Sequence, residues 1–293
     1  MKKITSDKII GFLERNYIYI IWSMINFFLT FFILGTNWLS FIFCIFIYVI
    51  SLTVALSSLG EWILRLINGV RKLYTKREKD YLIPLFEDIY EDVKEQHPNL
   101  PHIEICIIDS LTVNACAMGR HTVAVTRGAM ETFTEDELKG ILLHEIGHIV
   151  HGDTKATLLN LIGNGLFSIG VVTVKLALLI LDLVLLPFFK RTNGITAIVS
   201  SIIHFVFDML LIGFTLTGNI ILSINSRENE YRADRFAFEN GYGEDLISAL
   251  YLLQKMSLGE DMELIQRMQA SHPHIAKRIG ALEFLEDREI SNT

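Results

Sequence analysis

The hydrophobic positions of this chain fall into two long blocks separated by stretches of short periodicity. From 16 to 60 there is no charged residue and no histidine. That is enough for two membrane spans of about 20 residues each. Gly35-Thr36-Asn37 is the natural turn between them, so the expected spans cover 17–34 and 38–56. A cleaved signal peptide would be shorter and would not be followed at once by a second span. The second block gives segments at 158–189 and 195–224, interrupted by Lys175, Asp182 and Asp208 and joined through Lys190-Arg191. Two full spans are the preferred reading, with a hairpin that enters only partly as the alternative. Lys175 and Asp182, seven apart, share a helical face and are expected to face the protein interior together.

Between the blocks the pattern changes to that of a folded domain. Leu82, Leu85, Phe86, Ile89 and Val93 make one stripe of a helix over 82–94, closed by His97-Pro98-Asn99. The runs 103–108 and 122–126 are β-rich and bounded by turn formers, as strands of a small sheet would be. Thr134 and Glu137 form a capping box that opens a helix reaching about His151, where Gly152 is placed to stop it. Beyond the second block, 227–240, 246–256 and 274–285 are expected to be helical. The chain therefore divides into 1–60 (cytoplasmic flank and two spans), 61–157, the second hydrophobic pair 158–224, and 225–293.

Composition sharpens this picture. Half of the 293 residues are apolar and only 20% are charged, unusual for a soluble enzyme. A net charge of −7 argues against a nucleic-acid partner. Lys2, Lys3, Lys8 and Arg15 precede the first span, and Arg65, Arg71, Lys72, Lys76, Arg77 and Lys79 follow the second. Basic flanks stay cytoplasmic, so the chain from Glu61 onward is expected to start in the cytoplasm. Cys44, Cys106 and Cys116 lack metal or disulfide spacing and read as buried reduced thiols, in keeping with a reducing compartment.

The chemistry is concentrated in His144-Glu145-Ile146-Gly147-His148, inside the capped helix. Residues four apart lie one turn apart, so both imidazoles can reach one ion. Zinc suits two imidazoles and a carboxylate, with water in a fourth position. Glu145, offset on the helix, can serve as general base. Two residues stand as third ligand. His151 is one turn further, too far along a straight helix to share the ion comfortably, and suits a helix C-terminus. Glu230, four before Asp234 on a new helix, could close the site while Asp234 fixes the tautomer of a ligand histidine. Spacing alone does not separate that from a solvated helix laced with Arg227, Arg232 and Arg235.

These residues resemble the membrane metalloprotease family that contains the bacterial heat-shock protease HtpX and, more distantly, the CAAX prenyl proteases. The similarity runs through Asn114-Ala115-Cys116-Ala117, the strand leading to Arg127-Gly128, the zinc helix, the segment from Ser226 to Asp234, and Ser271-His272-Pro273 with Arg278. The resemblance implies an α+β, mostly helical chain: a gluzincin-type zinc protease core with a small β-sheet, fused to two pairs of transmembrane helices. It implies one Zn2+ per chain on His144, His148 and Glu230, with Glu145 as base and Asp234 and Arg278 as supporting residues. His272 is implied to donate to the developing oxyanion, and Asn114 and Ala115 to lie where substrate backbone runs. Cys116 stands where the family commonly has Phe, and Ser271 where Thr is commoner.

The implied activity is zinc-dependent endoproteolysis of misfolded or damaged membrane proteins at the cytoplasmic face of a bacterial plasma membrane. It is a quality-control role in which other proteases can cooperate. The alternatives are a membrane scaffold that binds metal without cutting, and a narrow processing protease. The intact Glu145 speaks against the first, because a structural site needs no general base. Four spans are fewer than prenyl-protein proteases generally have, which speaks against the second.

Overall fold

The computed structural model describes residue 17 and residues 20–189, 195–258 and 275–291. They divide into two compact units, one of residues 1–55 and 156–225, the other of 56–155 and 226–293.

The first unit holds the apolar helices. Helix α1 (Ile20–Leu34) is followed, after the Gly35 turn at φ 106°, by α2 (Trp38–Ala55). Asn26, Thr30 and Tyr48 are buried between them, and Phe27 packs edge-on against both Phe41 and Tyr48. The exposed positions of both helices are chiefly Ile, Leu, Phe and Val, as a lipid-facing surface requires. Helices α7 (Asp153–Phe189) and α8 (Ile195–Ala237) carry the second block. Among the described residues, Phe167–Val184 and Ile198–Gly218 are each long and apolar enough to cross a membrane alone. Helix α1 is shorter than that measure, and α2 meets it only together with the next helix, as a broken span.

The charges inside the second block find their partners on the facing helix. Lys175 meets Asp208, while Asp182 accepts from Ser200 at 2.6 Å and lies 2.8 Å from His204 Nε2. Seven residues put both charges on one face of α7, but about 10 Å apart along its axis, beyond side-chain reach of each other. Each therefore takes its partner from α8.

The second unit is the α+β part. Helix α3 (Ser58–Ile67) leads into β1 (Val70–Arg71), and α4 (Lys76–Gln96) starts at a second capping box, Thr75 with Glu78. Helix α4 buries the predicted stripe of Leu82, Leu85, Phe86, Ile89 and Val93. Strands β2 (Glu104–Ile108), β3 (Ala115–Met118) and β4 (Thr122–Thr126) complete a mixed sheet in the order β1-β2-β4-β3. β2 pairs parallel to β4, with Cys106 opposite Ala124, and β3 pairs antiparallel to β4, with Cys116 opposite Ala124. Parallel pairing explains the continuous apolar run of β4, which is buried at every position. β3 is thus an edge strand.

Short α5 (Arg127–Thr132) turns the chain into α6 (Glu135–His151). Both halves of the Thr134–Glu137 capping box are formed, and Gly152 ends α6 in the left-handed conformation at φ 81°. Helix α8 runs unbroken to Ala237, and a π-helical turn (Phe238–Tyr242) leads into α9 (Gly243–Leu258). Helix α10 (Ile275–Ile290) completes the unit. The core joins α4, the sheet, α6, α9 and α10 around Leu138, Leu142, Ile146, Leu246, Leu250 and Leu282. Cys44 and Cys106 are buried, Cys116 is half-buried, and none is in a disulfide.

Candidate metal centre and active site

Helix α6 is buried along most of its length, which puts polar His144 and Glu145 inside the protein at 2% and 3% exposure. Such groups are costly to bury unless partnered, and each has partners. His144 Nδ1 lies 2.9 Å from Asp234 Oδ1, and His148 Nδ1 lies 3.1 Å from Asp153 Oδ2. A carboxylate accepts, so each Nδ1 carries the proton and each Nε2 is left as a lone pair. These two Nε2 atoms face one another at 3.2 Å. Glu230 completes the group, its Oε2 at 3.5 Å from His144 Nε2 and its Oε1 at 3.4 Å from His148 Nε2.

One ligand atom from each of His144, His148 and Glu230 lies within 4.8 Å of the others. Three acceptors converging in a buried space repel each other unless a cation sits between them. Two imidazoles and one carboxylate are the donor set of a catalytic zinc site. These residues therefore fit a divalent metal. With no metal between them a proton takes the place of the cation: burial opposes a charged His148, yet Asp153 and Glu230 outweigh it and raise its pKa to about 10. His144 shifts upward too, against burial and Arg278, because Asp234 and Glu230 flank it. The pocket thus holds an excess of negative potential.

The supporting residues form a continuous chain. Arg278, buried on α10, donates from Nε and Nη2 to Asp234 at 2.8 and 2.6 Å, and its Nη1 lies 2.9 Å from Glu230 Oε2. One guanidinium thus ties Glu230 to Asp234, the carboxylate beside His144 Nδ1. Asp234 is itself buried, which resists ionisation, but Arg278 and His144 bring its pKa down to about 2. On the other side, Arg232 bridges Asp153, at 3.1 Å, and Asn229.

Glu145 is placed differently. Its Oε2 accepts the backbone N–H of Ala117 at 2.7 Å. Ala117 is on the edge strand, so that N–H points away from β4. Asn114 stands just before β3, with its backbone N–H and C=O both bonded to Thr126, and Ala115 begins the strand. The half-buried Cys116 precedes Ala117 on β3, and burial, with Glu145, pushes its thiol up to about 12, so that it is a neutral thiol. His272 lies outside the described residues. His151 is not near the convergence of ligands; it packs edge-on against Phe236, with ring centroids 5.8 Å apart, and burial keeps it neutral.

Two participants were not read from the sequence. Asp153 follows the helix stop and looks like an ordinary first-turn acid of the next helix. Its spacing of five from His148, just past a helix-ending glycine, was the available signal. Arg232 was visible only as one of several arginines.

Comparisons with known proteins fall into line with this geometry. Residues 77–286 match the protein family described as peptidase family M48. Protease HtpX of Shewanella baltica is 26% identical over 241 residues, covering 77% of this chain and 81% of that protein. A protease HtpX homolog of Fusobacterium nucleatum is 28% identical over 207 residues, covering 62% and 63%. The crystal structure of S. mikatae Ste24p aligns over 96% of this chain and 67% of its own, with a TM-score of 0.51 and 21% identity, a likeness of fold. With the apolar helices of the first unit and the ligand cluster of the second, these matches place the chain in peptidase family M48, as a membrane metallopeptidase.

Proposed function

We propose that this protein is a zinc endopeptidase that cuts misfolded or damaged membrane proteins at the cytoplasmic face of a bacterial plasma membrane. The observation that carries the chemistry is the convergence of two Nδ1-protonated imidazoles and Glu230 on one point. His144, His148 and Glu230 would hold one zinc per chain, with Asp234, Asp153 and Arg278 fixing the ligands. When bound, zinc supplies Lewis acidity for a carbonyl and lowers the pKa of a water.

The protein's own groups do the rest. A peptide laid along the open edge of β3 would bond to its outward backbone groups, which aligns the scissile carbonyl at the end of α6. Glu145 Oε2 accepts a proton from the attacking water and returns it to the leaving amine. The Ala117 N–H, already on Glu145, holds that carboxylate beside the strand. Arg278 holds Glu230 in place. His272 is the proposed donor to the oxyanion. Membrane and unfolded proteins as substrates, the cytoplasmic orientation and cooperation with other quality-control proteases rest on the resemblance and on the basic residues flanking the apolar helices.

The test is metal content together with cleavage of casein and of an unfolded membrane protein in detergent. The intact chain, Glu145→Gln and Glu230→Ala are compared at equal folding. The expected result is stoichiometric zinc in the parent and in Glu145→Gln, cleavage reduced by about 10²–10⁴ in Glu145→Gln, and weakened zinc in Glu230→Ala. A zinc-loaded parent that cuts neither substrate would favour a metal-binding scaffold or a narrow processing enzyme.

A further inference from the structure

Helix α3 has a division of faces that the active site does not use. Its apolar residues Leu59, Trp62, Leu66 and Ile67 fall on one arc at helical spacing and are exposed at 52%, 57%, 65% and 74%. Its two charged residues do the opposite, and Glu61 is buried at 7%. The carboxylate of Glu61 accepts the backbone N–H groups of Arg120 and His121 at 3.1 Å each, and also the Thr122 hydroxyl. Arg65, one turn on, bonds to Thr122 Oγ1 and to Glu104 at 2.7 Å each. Both polar side chains are thus spent on the turn and first residue of the β3–β4 hairpin and on β2. The helix turns its charges inward and its Trp and Leu outward, the reverse of a helix that meets water.

We infer that the outer face of α3 lies in the headgroup region of a phospholipid bilayer. Three observations choose lipid over another protein as its cover. Only Leu56 and Ser57 separate α3 from the apolar helix α2, whose exposed surface is Ile, Phe, Leu and Val. Trp62 is on the exposed arc, and an indole is favoured at the interface between hydrocarbon and water. The chain that follows carries Lys72, Lys76, Arg77 and Lys79, cations suited to anionic headgroups. An apolar arc about 140° wide on ten residues is enough for a helix lying about 5–10 Å into the headgroup boundary, and too short to span. Through Glu61 and Arg65, a helix at that depth would hold the β3–β4 hairpin, and so the edge strand beside Glu145, close to the surface from which membrane substrates arrive. This last consequence rests on the proposed function; the location of α3 does not.

The chain has three tryptophans, so replacing Trp22 and Trp38 by Phe leaves Trp62 as sole reporter. The variant is placed in vesicles of phosphatidylcholine and phosphatidylglycerol, with bromine on the acyl chains either near the headgroup or near the chain ends. Acrylamide is added separately as aqueous quencher. Shallow bromine is expected to quench Trp62 several-fold more than deep bromine, with little effect of acrylamide. Adding Leu66→Asp, at a site without core contacts, should weaken quenching by both bromine positions and raise quenching by acrylamide. Strong acrylamide quenching with no bromine effect puts the face in water and overturns the inference. Preferential quenching by deep bromine overturns it too, because α3 would then continue α2 into the hydrocarbon. Protection from all three quenchers means a protein partner covers the face, which is equally fatal. None of these readings depends on proteolysis.

Discussion

Each imidazole of the metal centre is held by a carboxylate, and each carboxylate has its own arginine. Asp234 is held by Arg278, Asp153 by Arg232. This order matters, because an unneutralised buried carboxylate would protonate and cease to orient its histidine. Asp153→Asn keeps the shape but supplies no fixed acceptor, since the amide can present its NH2 to His148. It should weaken zinc by about 10–100-fold while leaving Thr134-capped α6 folded. Zinc competition with a fluorescent chelator measures the first, far-ultraviolet circular dichroism the second. Unchanged zinc affinity would mean that Asp153 does not set the tautomer of His148. Cys116, on β3 next to Ala117, has a thiol too weakly acidic to compete for metal.

At the scale of elements, the site exists because two helices approach closely. A Cβ at Gly147 would meet Ala233 Cα and the Phe236 side chain at 3.2 Å, so the glycine inside the motif lets α8 pass near enough for Glu230 to face both histidines. A second element-level device is the ion cluster behind the sheet. Glu78, in the first turn of α4, accepts from Arg71 at 2.8 Å and Arg127 at 3.2 Å, and Asp109 binds the same two arginines. Arg71 foremost, with Arg127, holds Asp109 at about 2, and Arg71 holds Glu78 well below the usual carboxylate range. A carboxylate whose pKa is depressed on folding stabilises the fold above its unfolded pKa, about 4, and loses that contribution as pH falls towards the folded value. Stability should therefore drop between about pH 4 and pH 2, and Asp109→Asn should flatten that limb. Urea midpoints across this range check it, and an unchanged limb in Asp109→Asn would remove the residue from the account.

At the scale of the whole chain, the apolar unit carries charges that its own helices must neutralise. Lys175–Asp208 and Asp182 with His204 and Ser200 bridge α7 and α8. In hydrocarbon, removing one partner strands the other, at a cost of about 3–5 kcal/mol for a buried pair. Lys175→Met should therefore lower the thermal midpoint in detergent, and Lys175→Met with Asp208→Leu should recover most of the loss. A double variant as unstable as the single one would show that packing, and not pairing, is what Lys175 supplies. A metal held by His144, His148 and Glu230 would add a stabilising term of its own, since a ligand bound only by the folded state raises stability by about 2.7 kcal/mol at a hundredfold excess over Kd.

Local chemistry made much of this legible without coordinates. Thr134 and Glu137 specify where α6 begins and Gly152 where it ends, because caps satisfy backbone groups within a few residues. The 3.6-residue stripe of α4 and the apolar runs of β2 and β4 are likewise local statements about which face is buried. His144 and His148 lie on one face by helix geometry alone. The partners of those histidines were a different matter. Asp153 reads as a first-turn acid, Glu61 only as the first charge after an apolar run, and Lys175 and Asp182 only as sharing a helical face. What decided each of them was which distant element came alongside: α8 against α6, the β3–β4 turn against α3, α8 against α7. Spacing along a chain fixes faces, but pairing energy depends on distance in space, and only the folded structure supplies it.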